Sequence, residues 1–335
     1  MRVGQNPNKN IDKEISSSSY HRIVVPVFIP NLVDEYFKNS FNVLKVCIES
    51  LLLTIHDKSR LSVINNGCCN EVEEYLNMKY VSNSKFDQLL HTKINLGKIN
   101  AAYSVIKSNQ EDLITVTDAD VLFKEGWQQG IESVFKNFPE AGMVSPVPHS
   151  RGFANFGYSN AFFAFFKGKI FFDEVRDPDD QLKFEESLQR NILKPIHFKK
   201  YLVLQNTKGK AVMGCGHFVA TYRKEVFLKS PNFPSKDFLS TKSDFDYLDH
   251  PNEKAGFLRL ATLNNFAYHL GNVYEDWMDV ELEKIRNSNS ISKFTDIPKF
   301  KSFNQTQISI GKFINRLFFH KFRKWYFKYL GEETY

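Results

Sequence analysis

Ile114-Thr115-Val116-Thr117-Asp118-Ala119-Asp120-Val121-Leu122-Phe123 decides the fold. A short apolar and β-branched run with clear bounds is the pattern of a buried strand. This one runs straight into two aspartates, and a second apolar cluster follows. Carboxylates at the end of a buried strand cost desolvation energy unless something positive meets them. In an open α/β sheet, the carboxyl ends of the strands are where ligands collect. Asp118 and Asp120, two apart on an extended chain, point the same way. Their natural partner is a divalent cation carrying a diphosphate, because hard cations take carboxylate and phosphate oxygens. The same residues also suit a solvated turn or a helix cap, so the two readings have to be weighed against the rest of the chain.

Upstream, Arg22 to Pro30 reads as the first strand, with irregular pairing expected at Pro26. Residues 32–56 have helical spacing, with Val43, Val46, Cys47, Ser50 and Leu51 on one face. Leu61 to Gly67 is a second strand running into an Asn-Gly turn, Glu71 to Leu76 a helix, and Lys79-Tyr80-Val81 a third strand. Asn95 to Ala102 opens a helix that leads into the central strand. Alternating strands and helices predict an α/β fold with a doubly wound sheet. Downstream, Trp127 to Phe138 reads as a helix and Ala141 to Ser145 as a strand. Arg151 to Phe172 carries no motif, and Asp173 to Lys183 reads as loop. Ala211 to Ala220 is strand-like around a glycine-rich bend, Ser243 to Leu248 an acidic helix start, and Asn265 to Leu270 a strand ending at His269.

Composition narrows the class. The 335 residues are 24% charged and 42% hydrophobic, which excludes a disordered chain. Aromatics reach 15%, with 32 Phe, so large apolar surfaces are expected in the core or against a membrane. A net charge of +6 favours anionic partners such as nucleotides, phospholipids or glycan-lipid phosphates. No nucleic-acid partner is expected. Cys47, Cys68, Cys69 and Cys215 form no CxxC pair and no zinc spacing, which suits free thiols in a reducing, cytoplasmic compartment. No apolar leader is visible, and no run reaches the ~18 apolar residues of a membrane span. Residues 1–19 read as a flexible polar tail. Near the other end, Lys312, Arg316, Lys321, Arg323, Lys324 and Lys328 interleave with Phe313, Phe318, Phe322, Trp325 and Phe327. Residues 303–330 are either a basic amphipathic helix lying on an anionic membrane or a helix packing its aromatics on the core.

Taken in order, these signals resemble a family 2 glycosyltransferase of the GT-A fold. The resemblance runs over about residues 20–275. It is carried by Pro26 and Pro30, Val63-Ile64-Asn65-Asn66-Gly67, Asn95-Leu96-Gly97 with Ala101, Asp118-Ala119-Asp120, and Phe123 with Gly126-Trp127. Ser243-Asp244-Phe245-Asp246, Lys254-Ala255-Gly256-Phe257 and Tyr268-His269-Leu270-Gly271 follow in the family's order. Two departures stand out: Asn65 and Asn66 replace an acidic residue that often contacts the base, and Ser243 replaces a glutamate.

The resemblance implies a mixed sheet flanked by helices, with a nucleotide-sugar half at 20–145, an acceptor half at 146–275 and a helical extension at 276–335. It implies metal-dependent transfer of a sugar, with inversion, from a nucleotide diphosphate sugar to an acceptor hydroxyl. A UDP-sugar is the expected donor, and a surface glycan or lipid-linked acceptor at the inner face of the membrane is expected. Asp120, Asp118 and His269 are the candidate ligands for Mn²⁺ or Mg²⁺. Asp244 is the candidate base, and Asp246 the rival that otherwise caps a helix. Pro30, Asn65, Asn66, Asn95, Lys98 and Asp118 are candidate donor contacts. His217 is placed in the acceptor cleft, and Trp127 beside the metal loop or against a sugar. Two other functions remain open: a nucleotidyltransferase, which the absence of a glycine-rich basic loop at Pro30 to Asp34 disfavours, and a non-catalytic membrane-associated module.

Overall fold

A computed structural model describes residues 3–5, 17–154, 157–288, 294 and 296–332. Among these, twelve strands run in chain order. They are β1 His21–Val27, β2 Ser59–Asn66, β3 Phe86–Thr92, β4 Leu113–Thr117, β5 Val121–Phe123 and β6 Ala141–Ser145. β7 Lys169–Glu174, β8 Lys200–Gln205, β9 Lys210–Met213, β10 Val219–Arg223, β11 Leu258–Ala261 and β12 Ala267–His269 complete the set. Ten of them form one mixed sheet in the order β3-β2-β1-β4-β10-β6-β11-β9-β8-β7, and β12 pairs with β5 in a small second sheet.

The β3-β2-β1-β4 half is parallel. Its inner strands β2, β1 and β4 are almost wholly buried because helices cover both faces, whereas the edge strand β3 is only partly buried. Along β1, Ile23, Val25 and Val27 enter one core and Val24 the other. The first core takes the helices Ser40–Thr54 and Trp127–Asn137, the second takes Lys98–Ile106. The strand order reverses between β1 and β4, so a crevice opens beyond their carboxyl ends. Pro30 and Asp118 stand there. Pro26 is tolerated because β1 pairs with β4 only as far as Val24, while its register with β2 continues evenly through Val27.

Several expectations are corrected. Lys79-Tyr80-Val81 lies in the helix Asn70–Ser82, and the third strand is β3. Asp173 to Lys183 is not loop: it spans the end of β7 and the helix Pro178–Leu188, whose Pro178 suits a first helical turn. Ala211 to Ala220 splits into β9 and β10, which are not neighbours in the sheet. Most of the expected tail at 1–19 lies outside the described residues. Its end is tied down, because Ser19 Oγ donates to buried Glu111 at 2.6 Å and Glu111 also accepts from Arg22.

The C-terminal segment docks one face on the core. It comprises the helix Gln305–Ile314, a π-type turn Asn315–Lys321 and the helix Arg323–Tyr329. Phe303, Ile314, Phe319, Tyr326 and Phe327 are buried in the main core. Phe313, Phe322, Trp325 and Tyr329 are exposed, so the packing reading describes one face of the segment and the other face meets solvent. Among the described residues, no helix is long and apolar enough to cross a membrane.

Candidate functional site

Beyond the carboxyl end of β4, the Asp118 backbone N–H donates to Phe218 O at 2.8 Å, which fixes the Asp-Ala-Asp loop to the connection before β10. Lys98, the first residue of the helix Lys98–Ile106, places Nζ 2.5 Å from Asp118 Oδ1. Gly97 makes this possible. Its φ of +83° and a Cβ position 2.9 Å from Asp237 O leave room for glycine alone, and Lys98 N donates to Phe238 O. Burial pulls the Lys98 pKa down, but Asp118, Asp244 and Asp120 outweigh it and hold it above the usual lysine value.

Asp120 leads into β5, and β12 runs antiparallel to β5 with His269 opposite Val121. The pairing brings His269 Nε2 to 3.6 Å from Asp120 Oδ2. Ser187 Oγ lies 2.8 Å from His269 Nδ1 and orients the ring, leaving Nε2 toward the carboxylate. Asp120 Oδ1 is buried without a protein partner. Burial raises the Asp120 pKa, Asp118 adds to the rise, and His269 and Lys98 oppose it. Asp118 is engaged by Lys98 and does not close with Asp120 and His269 into a three-donor cluster, so a divalent cation would be met here by the Asp120 carboxylate and the His269 imidazole.

Asp244 ends the short helix Thr241–Asp244, capped by Ser240 Oγ accepting from Ser243 N. Its side chain is almost buried, and Oδ1 has no protein partner. Burial raises its pKa, while Lys98 and His217 pull it back. Asp244, Lys98, Asp118 and Asp120 therefore form one electrostatic cluster. Asp246 lies apart from it, with Tyr247 and His250 as its electrostatic neighbours. A cleft of about 720 Å³ opens beside Asp118 and Asp120, walled by Pro26, Phe28, Tyr36 and Leu239.

Other candidates are placed differently. Asn65 and Asn66 are each 2% exposed, too little to read a base edge. Their amides are spent within the loop: Asn65 Oδ1 accepts from Cys68 N, and Asn66 Oδ1 accepts from Leu96 N. Asn66 Nδ2 donates to Asn95 Oδ1, which also accepts from Gly97 N. Asn95 thus shapes the turn that presents Lys98. Pro30 is half-buried just beyond β1. Trp127 is fully buried, donating to Thr54 Oγ1 at 3.1 Å, so it is core and does not reach an acceptor. His217 does reach the site, 3.5 Å from Asp244 Oδ2.

A second set of donors, His21, His56 and Glu132, comes close enough to meet a cation. It sits at the amino end of β1, away from Asp118, and its atoms already serve one another. His21 Nε2 lies 2.7 Å from Thr115 Oγ1, Gln128 Nε2 donates to His21 Nδ1, and His56 Nε2 lies 2.9 Å from Glu132 Oε1. It reads as a buried polar network that ties β1 and β4 to the helix Trp127–Asn137.

No protein-family model matches the chain, and no curated protein matches it. Among solved structures, it is similar to a mannosyltransferase, PcManGT, from Pyrobaculum calidifontis in complex with GDP-Man and Mn²⁺. Identity is 12%, with 94% of this chain and 74% of that one covered and a TM-score of 0.47. It is also similar to residues 1–349 of S. aureus TarS, at 11% identity, with 91% and 73% covered and a TM-score of 0.45. For the same TarS region in complex with UDP-GlcNAc, identity is 12%, coverage 90% and 73%, and the TM-score 0.43.

Proposed function

We propose that the protein is a metal-dependent, inverting glycosyltransferase that uses a nucleotide diphosphate sugar. One observation carries the reading. Asp120 Oδ1 and Asp244 Oδ1 are both buried without a protein partner, and Lys98 stands within the field of both carboxylates. Burying charged oxygens without partners is costly unless a ligand completes them.

Asp120, with His269 and Asp118, would hold Mn²⁺ or Mg²⁺, and such an ion neutralises the charge that grows on a departing diphosphate. Lys98 meets the same phosphates from the head of its helix, where the amide dipoles also favour an anion. The Asp244 carboxylate takes the proton of the acceptor hydroxyl. As it does so, the acceptor oxygen bonds to the anomeric carbon, and the bond from that carbon to the diphosphate oxygen breaks. The electron pair of that bond leaves with the nucleoside diphosphate. Attack from the face opposite the leaving group inverts the configuration. The raised pKa of Asp244 makes it a better base than an exposed aspartate. The finer reading is a UDP-sugar donor and a surface glycan or lipid-linked acceptor, met at the inner face of a membrane.

Thermal unfolding against UDP, GDP, CDP and ADP, with and without Mn²⁺, tests the site. A ligand present at ~100 times its dissociation constant stabilises the folded state by about 2.7 kcal/mol. A rise in melting temperature for one nucleotide, only when Mn²⁺ is present, is the expected result. No rise with any nucleotide would remove the donor site and the proposal with it.

A further inference from the structure

His217 stands between two carboxylates. Its Nε2 is 3.5 Å from Asp244 Oδ2, and its Nδ1 is 3.7 Å from Asp249 Oδ2. Behind it, Arg259 Nη2 donates to Asp249 Oδ1 at 3.1 Å and to Cys215 O at 2.9 Å. Asp249 is 5% exposed and Arg259 1%. The four side chains thus form a line that starts in the core at Arg259, passes through Asp249 and the half-exposed His217, and ends on Asp244.

Two local features build the line. Residues three and four apart share a face of an α-helix, and residues five apart do not. Here Phe245–Asp249 is a π-type turn, and the wider register brings Asp249 round to the side of Asp244. On the facing element, Gly214 has a φ of +103°, and a Cβ there would lie 2.0 Å from the Gly152 carbonyl carbon. The sharp bend at Gly214 delivers His217 out of β9 and over the π-type turn. A buried ion pair is a weak source of stability, because desolvation offsets its Coulomb attraction. The Arg259–Asp249 pair is explained better by what it points at.

We infer that His217, held by Asp249 and Arg259, is a positioning residue for Asp244. Standing 3.5 Å from Oδ2, the ring fixes the plane of the carboxylate. The charge of Lys98 also acts on this carboxylate. The inference rests on the transferase reading above, in which Asp244 is the base.

The test measures nucleoside diphosphate release from a panel of UDP-sugars and GDP-mannose with Mn²⁺, water taking the acceptor's place. His217→Leu is expected to lower kcat about 10–100-fold, the range for lost support of a functional ligand, with the donor KM within about twofold. The amide nitrogen of His217→Gln reaches the position of Nε2 and is expected to recover much of the loss. That of His217→Asn reaches only the position of Nδ1 and should not. Asp249→Asn should resemble His217→Leu. If Gln and Leu lose equally, or if the loss falls on KM, His217 merely lines the donor site and the inference fails. Should Asp249→Asn not fold, the Gln, Asn and Leu comparison decides alone. Wild-type turnover that is indifferent to His217 overturns the positioning role only. A wild type that turns over no donor overturns the transferase reading and takes this inference with it.

Discussion

Asp120 Oδ1 is buried without a protein partner, although the side chain as a whole is 33% exposed and faces His269. Asp120→Asn keeps the shape and removes the charge. It should abolish the Mn²⁺-dependent stabilisation by nucleoside diphosphate while changing the ligand-free stability little, since the carboxylate is a third exposed and is met by His269 and Lys98. Calorimetry with and without Mn²⁺ reads both effects, and an intact metal-dependent shift in the variant would exclude Asp120 as a ligand. Glu253 makes a different prediction. It is wholly buried, accepts a hydrogen bond from Tyr158 N, and burial pushes its pKa up to about 8. The folded state keeps the proton that the unfolded state loses near pH 4.5. Glu253 therefore favours folding most below about pH 4.5, and that contribution is lost as the pH rises toward 8. Glu253→Gln should flatten the fall in melting temperature between pH 5 and pH 8, and parallel profiles for the two proteins would show that Glu253 is ionised in the fold.

Helix against helix, the C-terminal segment is held where Gly311 of Gln305–Ile314 meets Tyr158–Phe166. A Cβ on Gly311 would come within 2.0 Å of Tyr158 O, a backbone atom that cannot swing aside. Alanine improves helix propensity by about 1 kcal/mol, and overpacking costs about 1–3 kcal/mol. Gly311→Ala should therefore lower the denaturant midpoint modestly, and an unchanged midpoint would mean that the segment is not docked. At this scale, the sequence was legible wherever burial was complete on both sides. β1, β2 and β4 are almost wholly buried, and β4 runs directly into Asp118 and Asp120, so pattern alone placed the Asp-Ala-Asp loop at the end of a central strand. Lys79-Tyr80-Val81 misled because strand propensity in three residues yields to the helix around them. β7 is the edge strand of the sheet and the helix Pro178–Leu188 packs against β12, both with mixed burial and no clean period, so nothing marked them. Asp249, Arg259 and Ser187 escaped for another reason. Their parts arise from a π-type turn and from contacts across 10 and 82 positions of chain, which no local spacing encodes.

At the scale of the whole molecule, charge is divided unevenly. Residues 297–331 hold eight of the 44 basic residues and none of the 38 acidic ones, while the full chain carries only +6, so the remainder is slightly negative. On the same segment, Phe313, Trp325 and Tyr329 are 63%, 62% and 75% exposed, and Trp325 stacks on Tyr329. Lys312, Arg316, Lys321, Arg323, Lys324 and Lys328 are exposed around them. Aromatics that settle at a lipid interface, ringed by cations worth about 1 kcal/mol each near anionic headgroups, suit a membrane surface. Deleting the segment would not test this, because Phe303, Phe319 and Phe327 belong to the core. Charge reversal on the exposed side does. The wild type should co-sediment with vesicles containing phosphatidylserine, not with phosphatidylcholine alone, and should be released by salt that shortens the Debye length. Lys321→Glu, Arg323→Glu and Lys324→Glu together should abolish binding without moving the melting temperature, because none of the three is buried. Equal binding to both vesicle types would reduce the surface to a generic apolar patch. Failure to bind either would leave the segment with its packing role alone, and an acceptor in solution would then be the simpler expectation.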